Sequence, residues 1–186
     1  MQWFLNYLTS RFQTLYEVNG TVSVDESMIK FRGRLSFSQY LPMKPTKWGI
    51  MVWVMAESST GYVTNVQVYC GREGKYKKGL AHRVVMDLAR PYYGSYLSIY
   101  IDNFYTGVEL LEDMKSHGNL TFCIWQVTKT VMVLSNHYDP TETGTVNRRR
   151  EGAGQSQVTV PSCLANYQKY MKGVNLLDQM DDGFQR

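Results

Sequence analysis

The chain has 186 residues, 44% of them hydrophobic, with 14 Tyr and 7 Phe, which suits one domain with a substantial core and excludes a disordered polymer. Lys and Arg number 20 against 16 Asp and Glu, and the resulting net charge of +4 is too small by itself to mark a nucleic-acid binder. The longest apolar run, residues 50–56, is far too short to cross a bilayer, and Met1-Gln2-Trp3-Phe4-Leu5 lacks a basic leader, so an intracellular protein without a membrane segment is expected.

In chain order, Trp3, Phe4, Tyr7, Leu8, Phe12, Leu15 and Tyr16 recur at helical spacing, and Asn19-Gly20 ends that helix. The segment Thr21-Val22-Ser23-Val24-Asp25 alternates as a strand with Val22 and Val24 on one face and Asp25, Ser23 and Thr21 on the other. An irregular basic stretch with Gly33, Pro42 and Pro45 follows. Residues 50–56 read as a fully buried strand, and residues 62–69 complete a hairpin with it. Leu80, Val84, Val85 and Leu88 mark a helix stopped by Pro91.

A second alternating strand places Leu97, Ile99 and Ile101 on one face and Ser98, Tyr100 and Asp102 on the other. Thr106-Gly107-Val108-Glu109 fits a capping box opening a helix with Leu110, Leu111 and Met114 inward and Gly118 at its end. Leu120, Phe122 and Ile124 alternate as the fifth strand. Residues 131–134 form a further strand, residues 139–157 read as polar and flexible, and Pro161 opens a helical stretch carrying Leu164, Tyr167, Met171 and Val174 that Gly173 interrupts. The sequence of strands and helices is that of an α/β, ribonuclease H-like mixed sheet flanked by helices.

Two aspartates at strand ends are the leading functional signal. If their strands are neighbours, Asp25 and Asp102 emerge at one end of one sheet and hold a divalent metal there, although a lone aspartate after a strand is more often a turn residue. Charge distribution adds to this. No acidic residue occurs from 27 to 56, where Lys30, Arg32, Arg34, Lys44 and Lys47 are interleaved with Phe31, Phe37, Tyr40 and Trp48. A second basic stretch holds Arg72, Lys75, Lys77, Lys78 and Arg83, and Arg148-Arg149-Arg150 makes a third. Such clusters suit a phosphate backbone.

The other reactive residue types carry less. Cys70, Cys123 and Cys163 have no C-x-x-C pair and read as core thiols. His82, His117 and His137 lack metal-ligand spacing, and Ser27 and Ser135 have no evident base partner.

With the two aspartates on that element order, the sequence resembles the catalytic core of the piggyBac family of DDE-type DNA transposases and its transposable element-derived relatives. The resemblance is carried by Val24-Asp25-Glu26-Ser27-Met28-Ile29-Lys30-Phe31-Arg32-Gly33-Arg34, by Gln39-Tyr40-Leu41-Pro42-Met43-Lys44-Pro45, and by Ile101-Asp102-Asn103-Phe104-Tyr105-Thr106. It continues in Tyr167-Gln168-Lys169-Tyr170-Met171-Lys172-Gly173-Val174-Asn175-Leu176-Leu177-Asp178-Gln179-Met180. It implies a truncated core over residues 1–180, a tail over 181–186, and a longer parent with a DNA-binding region before the core and a Cys-rich module after it.

The resemblance also implies metal-dependent DNA cleavage and strand transfer run by Mg2+ or Mn2+ on three aspartates, the first two being Asp25 and Asp102. It implies DNA partners with terminal inverted repeats and TTAA target sites, a nuclear setting, a homodimer as a compatible assembly, and no small-molecule cofactor. Asn175 stands where the family places its third aspartate, and Asp178, one helical turn on, is the remaining acid near the site. The stretch between Trp125 and Val131 is also shorter than in relatives. These departures point to an impaired or inactive core whose metal is lost. The alternatives are an active nuclease using Asp178 as third ligand and a domesticated DNA-binding or protein-interaction module without catalysis.

Overall fold

The computed structural model describes residues 2–71, 79–95, 97–102, 104–115, 121–126, 130–135, 139, 141–150 and 153–184. Its first half contains α1 (Gln2–Leu15), β1 (Thr21–Lys30), β2 (Gln39–Tyr40), β3 (Trp48–Glu57), β4 (Val63–Val68) and α2 (Leu80–Ala89). A single 3-10 turn, Arg90–Tyr92, leads to β5 (Ser98–Ile101) and α3 (Val108–Lys115). The strands β6 (Thr121–Gln126), β7 (Thr130–Ser135), β8 (Thr143–Arg150) and β9 (Ala153–Pro161) precede α4 (Ser162–Tyr170) and α5 (Gly173–Phe184).

The central strand is β1, antiparallel to β3 and parallel to β5. β2 and β4 both pair with β3, giving a five-stranded mixed sheet. Alternation along β1 divides the sheet into two faces. Val22 and Val24 are fully buried and pack with Trp53, Met55 and with Val84, Val85 and Leu88 of α2. Burying each of these aliphatic side chains contributes roughly 1.5–3 kcal/mol, so α2 is held by its Val84–Leu88 stripe. The opposite face carries Ser23, Asp25 and Ser27 beside Val52, Val54 and Ala56, and α5 covers it through Val174 and Leu177. Helices thus flank both faces of a ribonuclease H-like sheet.

Gly173 lets α5 approach so closely. A Cβ there would stand 2.7 Å from both the Glu57 carbonyl oxygen and Ser23 Oγ. The expected break at this glycine is real: α4 stops at Tyr170 and α5 begins at Gly173. α5 then runs to Phe184. At the same end of the sheet, buried Glu57 accepts hydrogen bonds from Tyr16 Oη (2.7 Å), the Asn19 N–H (2.8 Å) and Thr60 Oγ1 (2.5 Å). It thereby ties the α1–β1 connection to the β3–β4 turn.

Several sequence expectations need correction. β1 does not close at Asp25 but continues to Lys30, because pairing with β3 persists to Gly49. The strand at residues 121–126 pairs with β7 in a separate two-stranded sheet rather than joining the five strands as expected. Residues 143–150 and 153–161, expected to be flexible for most of their length, pair as strands β8 and β9, in which Val146 and Val160 pack against Cys163 and Leu164 of α4. Thr106 Oγ1 donates to the Asp102 carbonyl at 3.2 Å in the turn before α3, which begins at Val108. Cys163 is buried as expected, but Cys70 is exposed. His82 has a structural role, 2.9 Å from Asp113 of α3.

Candidate functional site

The parallel β1–β5 pairing fixes the site. Val24 opposite Ile101 is its last pair, so the next residues on the two strands, Asp25 and Asp102, are level with each other at one end of β5. Asp25 lies mid-strand, with a side chain only 14% exposed, and one carboxylate oxygen accepts the Glu26 N–H at 2.8 Å. Burial, reinforced by a hydrogen bond with Glu26, pushes the Asp25 carboxyl up to about 6, and Lys44 opposes that shift. Asp102 is exposed. Its carbonyl accepts the Tyr105 N–H at 3.0 Å, which shapes the turn after β5.

Two tyrosines lock this corner. Tyr105, buried, donates its hydroxyl to Glu26 Oε1 and so ties the turn after Asp102 to the residue after Asp25. Burial and that bond hold its phenol well above the ordinary range. Tyr167 of α4 is half-buried, with its phenol beside Asp102. Burial first, then the charges of Asp102 and Asp25, push its phenol up to about 12. Tyr167 is carried there because Cys163 and Leu164 anchor α4 on the β8–β9 pair, while Tyr170 packs against Tyr100 of β5 with ring centroids 5.6 Å apart. Sequence reasoning read Tyr167 only as an apolar helix position and missed this contact.

The remaining candidates are distributed around that pair. Asp178 of α5 is half-buried and accepts a 2.5 Å hydrogen bond from Ser27, two residues beyond Asp25 on the same sheet face. Asn175 is exposed one helical turn earlier. Lys44 is turned inward: its ammonium donates to the Glu26 carbonyl at 2.5 Å and lies 3.8 Å from Asp25 Oδ1. Lys30, Arg32, Arg34 and Lys47 are exposed. Arg72 and Lys75 lie outside the described residues.

A family model described as Transposase IS4 matches residues 1–121. The chain belongs to that transposase family. Among solved structures, it is similar to the piggyBac transposase of a synaptic complex with hairpin DNA, with a TM-score of 0.69 and 24% identity over 94% of this chain. The match covers 43% of that transposase, so the present chain spans less than half its length. This likeness establishes the fold.

Carboxylate oxygens suit small, hard divalent cations, and the level Asp25–Asp102 pair supplies such donors from both strands. Among the described residues no group of three or more His, Cys, Asp or Glu is placed to hold a metal. Asp178, the remaining acid, is hydrogen-bonded by Ser27.

Proposed function

We propose that this chain is a DDE-type transposase core that binds DNA and holds a divalent metal weakly, with impaired cleavage. The observation that carries the reading is the alignment of Asp25 and Asp102 on parallel strands, with Tyr105 tying the turn after Asp102 to Glu26. Mg2+ or Mn2+ bound there would stabilise charge on a phosphate oxygen and raise the nucleophilicity of an attacking hydroxyl. The chain's own residues have narrower tasks. Asp25 and Asp102 ligate, Tyr167 orients Asp102, and Lys44 neutralises part of the charge on Asp25. Exposed Lys30, Arg32, Arg34 and Lys47 hold the phosphate backbone. Terminal inverted repeats and TTAA sites are the DNA to test first, because the family resemblance implies them.

Asn175 is the principal defect in this reading, since it presents an amide where relatives carry a carboxylate. Magnesium-dependent nicking of supercoiled DNA should be near background for the wild type and should rise with Asn175→Asp. Loss of one member of a catalytic unit costs on the order of 10³-fold or more, which sets the scale of the gain. The gain should vanish when Asp25→Asn is added. Equal nicking by Asn175→Asp and wild type, both abolished by Asp178→Asn, would instead assign Asp178 as the third ligand.

A second reading is favoured by the Lys44 ammonium beside Asp25 and the Ser27–Asp178 bond: a DNA-binding module without chemistry. It requires salt-sensitive DNA binding that survives Asp25→Asn with Asp102→Asn, in a protein that does not nick.

A further inference from the structure

Tyr40 and Trp48 are direct cross-strand partners on β2 and β3, with ring centroids 4.7 Å apart and planes 36° from parallel. Despite that contact both remain open to solvent, Tyr40 at 50% and Trp48 at 59% exposure. The β2–β3 connection is closed by the Leu41 N–H bonded to the Lys47 carbonyl at 2.9 Å, and Met43 within it is 95% exposed. Gly49 fixes the base of the pair: a Cβ there would stand 2.0 Å from the Ile29 carbonyl oxygen, so β1 passes directly against the residue after Trp48. The result is a paired aromatic ledge on a short, braced hairpin.

Its position relates it to the carboxylates. Trp48, Ile50, Val52 and Val54 alternate onto one face of β3, and Val54 is opposite Asp25. The ledge therefore shares a sheet face with Asp25 and lies six residues along β3 from it, about 20 Å at the usual strand rise. Its surroundings are cationic. Lys30, Arg32, Arg34 and Lys47 are exposed nearby in the chain, and no acidic residue occurs from 27 to 56.

We propose that Tyr40 and Trp48 form a stacking platform for unpaired bases of DNA entering the carboxylate site. Three considerations select that occupant. Aromatic rings flanked by cations are the surface on which bases stack while phosphates are neutralised. Intact duplex hides its base faces and offers this ledge only phosphates, so an unstacked segment gains most. A second copy of the chain would meet the patch with the same positive charge in a two-fold contact, and like charges oppose it. The proposal rests on the reading that the chain binds DNA, and deepens it by naming the unpaired strand as the ligand.

The test compares the full chain binding a blunt duplex and the same duplex with a single-stranded tail carrying a fluorescent purine analogue. Wild type should bind the tailed DNA more tightly and change the analogue's fluorescence. Trp48→Leu or Tyr40→Leu should lower affinity for the tailed DNA by about 5- to 150-fold, the range of base–aromatic stacking, and leave the blunt duplex unchanged. Trp48→Phe should retain most of the tail preference and so separates loss of the ring from loss of the fold, which circular dichroism also checks. Equal affinity of wild type for both DNAs, or equal losses on both in the Leu variants, overturns the platform while leaving DNA binding intact. Sedimentation showing Trp48-dependent self-association without tail preference overturns it in favour of a second copy. Failure of wild type to bind either DNA overturns both readings.

Discussion

Asp102 stands one residue past Ile101, and Asp25 one residue past Val24, so the two carboxylates are level because Val24 and Ile101 are paired in parallel register. The two strands reach that register by different routes. β5 ends there, whereas β1 runs on for six residues to Lys30 and carries Ser27 to Asp178. Asp25 and Ser27, whose hydroxyl bonds Asp178, are thus successive positions on one face of β1.

Tyr167 should be energetically coupled to Asp102. A double-mutant cycle of Tyr167→Phe and Asp102→Ala, read by denaturant unfolding, should give a coupling of about 0.5 kcal/mol or more. Additive losses would mean that the hydroxyl does not position the carboxylate.

The exposed cations should set the salt dependence of DNA binding. Replacing Arg32, Arg34 and Lys47 together by Ala should flatten the slope of log affinity against log salt by up to about one unit for each phosphate no longer neutralised. Lys44→Ala should alter the slope least, since its ammonium is engaged with Glu26 and Asp25. An unchanged slope in the triple variant would return those residues to an ordinary solvated surface.

Gly173→Ala should separate α5 from the sheet. The added Cβ meets the Glu57 and Ala56 carbonyl oxygens at 2.7 and 2.9 Å, both backbone atoms that cannot turn aside. Overpacking of this kind costs about 1–3 kcal/mol. A melting temperature equal to that of wild type would show that the helix start has room.

Glu57 should contribute an acid-sensitive part of stability. Burial alone would raise its carboxyl, but hydrogen bonds from Thr60, Asn19, Tyr16 and Ser59 outweigh that and hold it below its ordinary value of 4.5. Because the folded value is the lower one, the contribution is complete above 4.5 and is lost as pH falls through the folded value. Melting temperature against pH should therefore fall on the acid side in wild type, with a shallower fall in Glu57→Gln. Parallel curves would remove Glu57 from the acid transition.

Legibility in the sequence followed pattern strength. Val22 and Val24 on one face, the apolar run at 50–56 and the Val84–Leu88 stripe each bury one clear surface, and they define the sheet and its helices. Met28, Ile29, Lys30 and Phe31 show no polar–apolar alternation, so the extension of β1 was hidden although its pairing with β3 is continuous. The β8–β9 pair was obscured because it buries little more than Val146 and Val160, and its charged and polar residues outnumber its apolar ones. At the site, Asp102 was legible as a strand-end carboxylate, and Asp25 as a residue of the polar face of β1 but not as the mid-strand position it occupies. The direction of Lys44 and the contact of Tyr167 were not, since a loop lysine and a helical aromatic acquire those roles only when distant segments are packed together.

The central claim is that Asp25 and Asp102 form one divalent-metal site, and manganese titration calorimetry tests it most directly. Wild type should give a weak, saturable heat, and Asp102→Asn and Asp25→Asn should each reduce it strongly, because removing either carboxylate leaves a single ligand on one strand. Asn175→Asp should increase it if the added charge reaches the same cation. Equal heats for wild type, Asp25→Asn and Asp102→Asn would contradict the account, leaving the level aspartates as a structural pair and the chain as a DNA-binding fold without a metal centre.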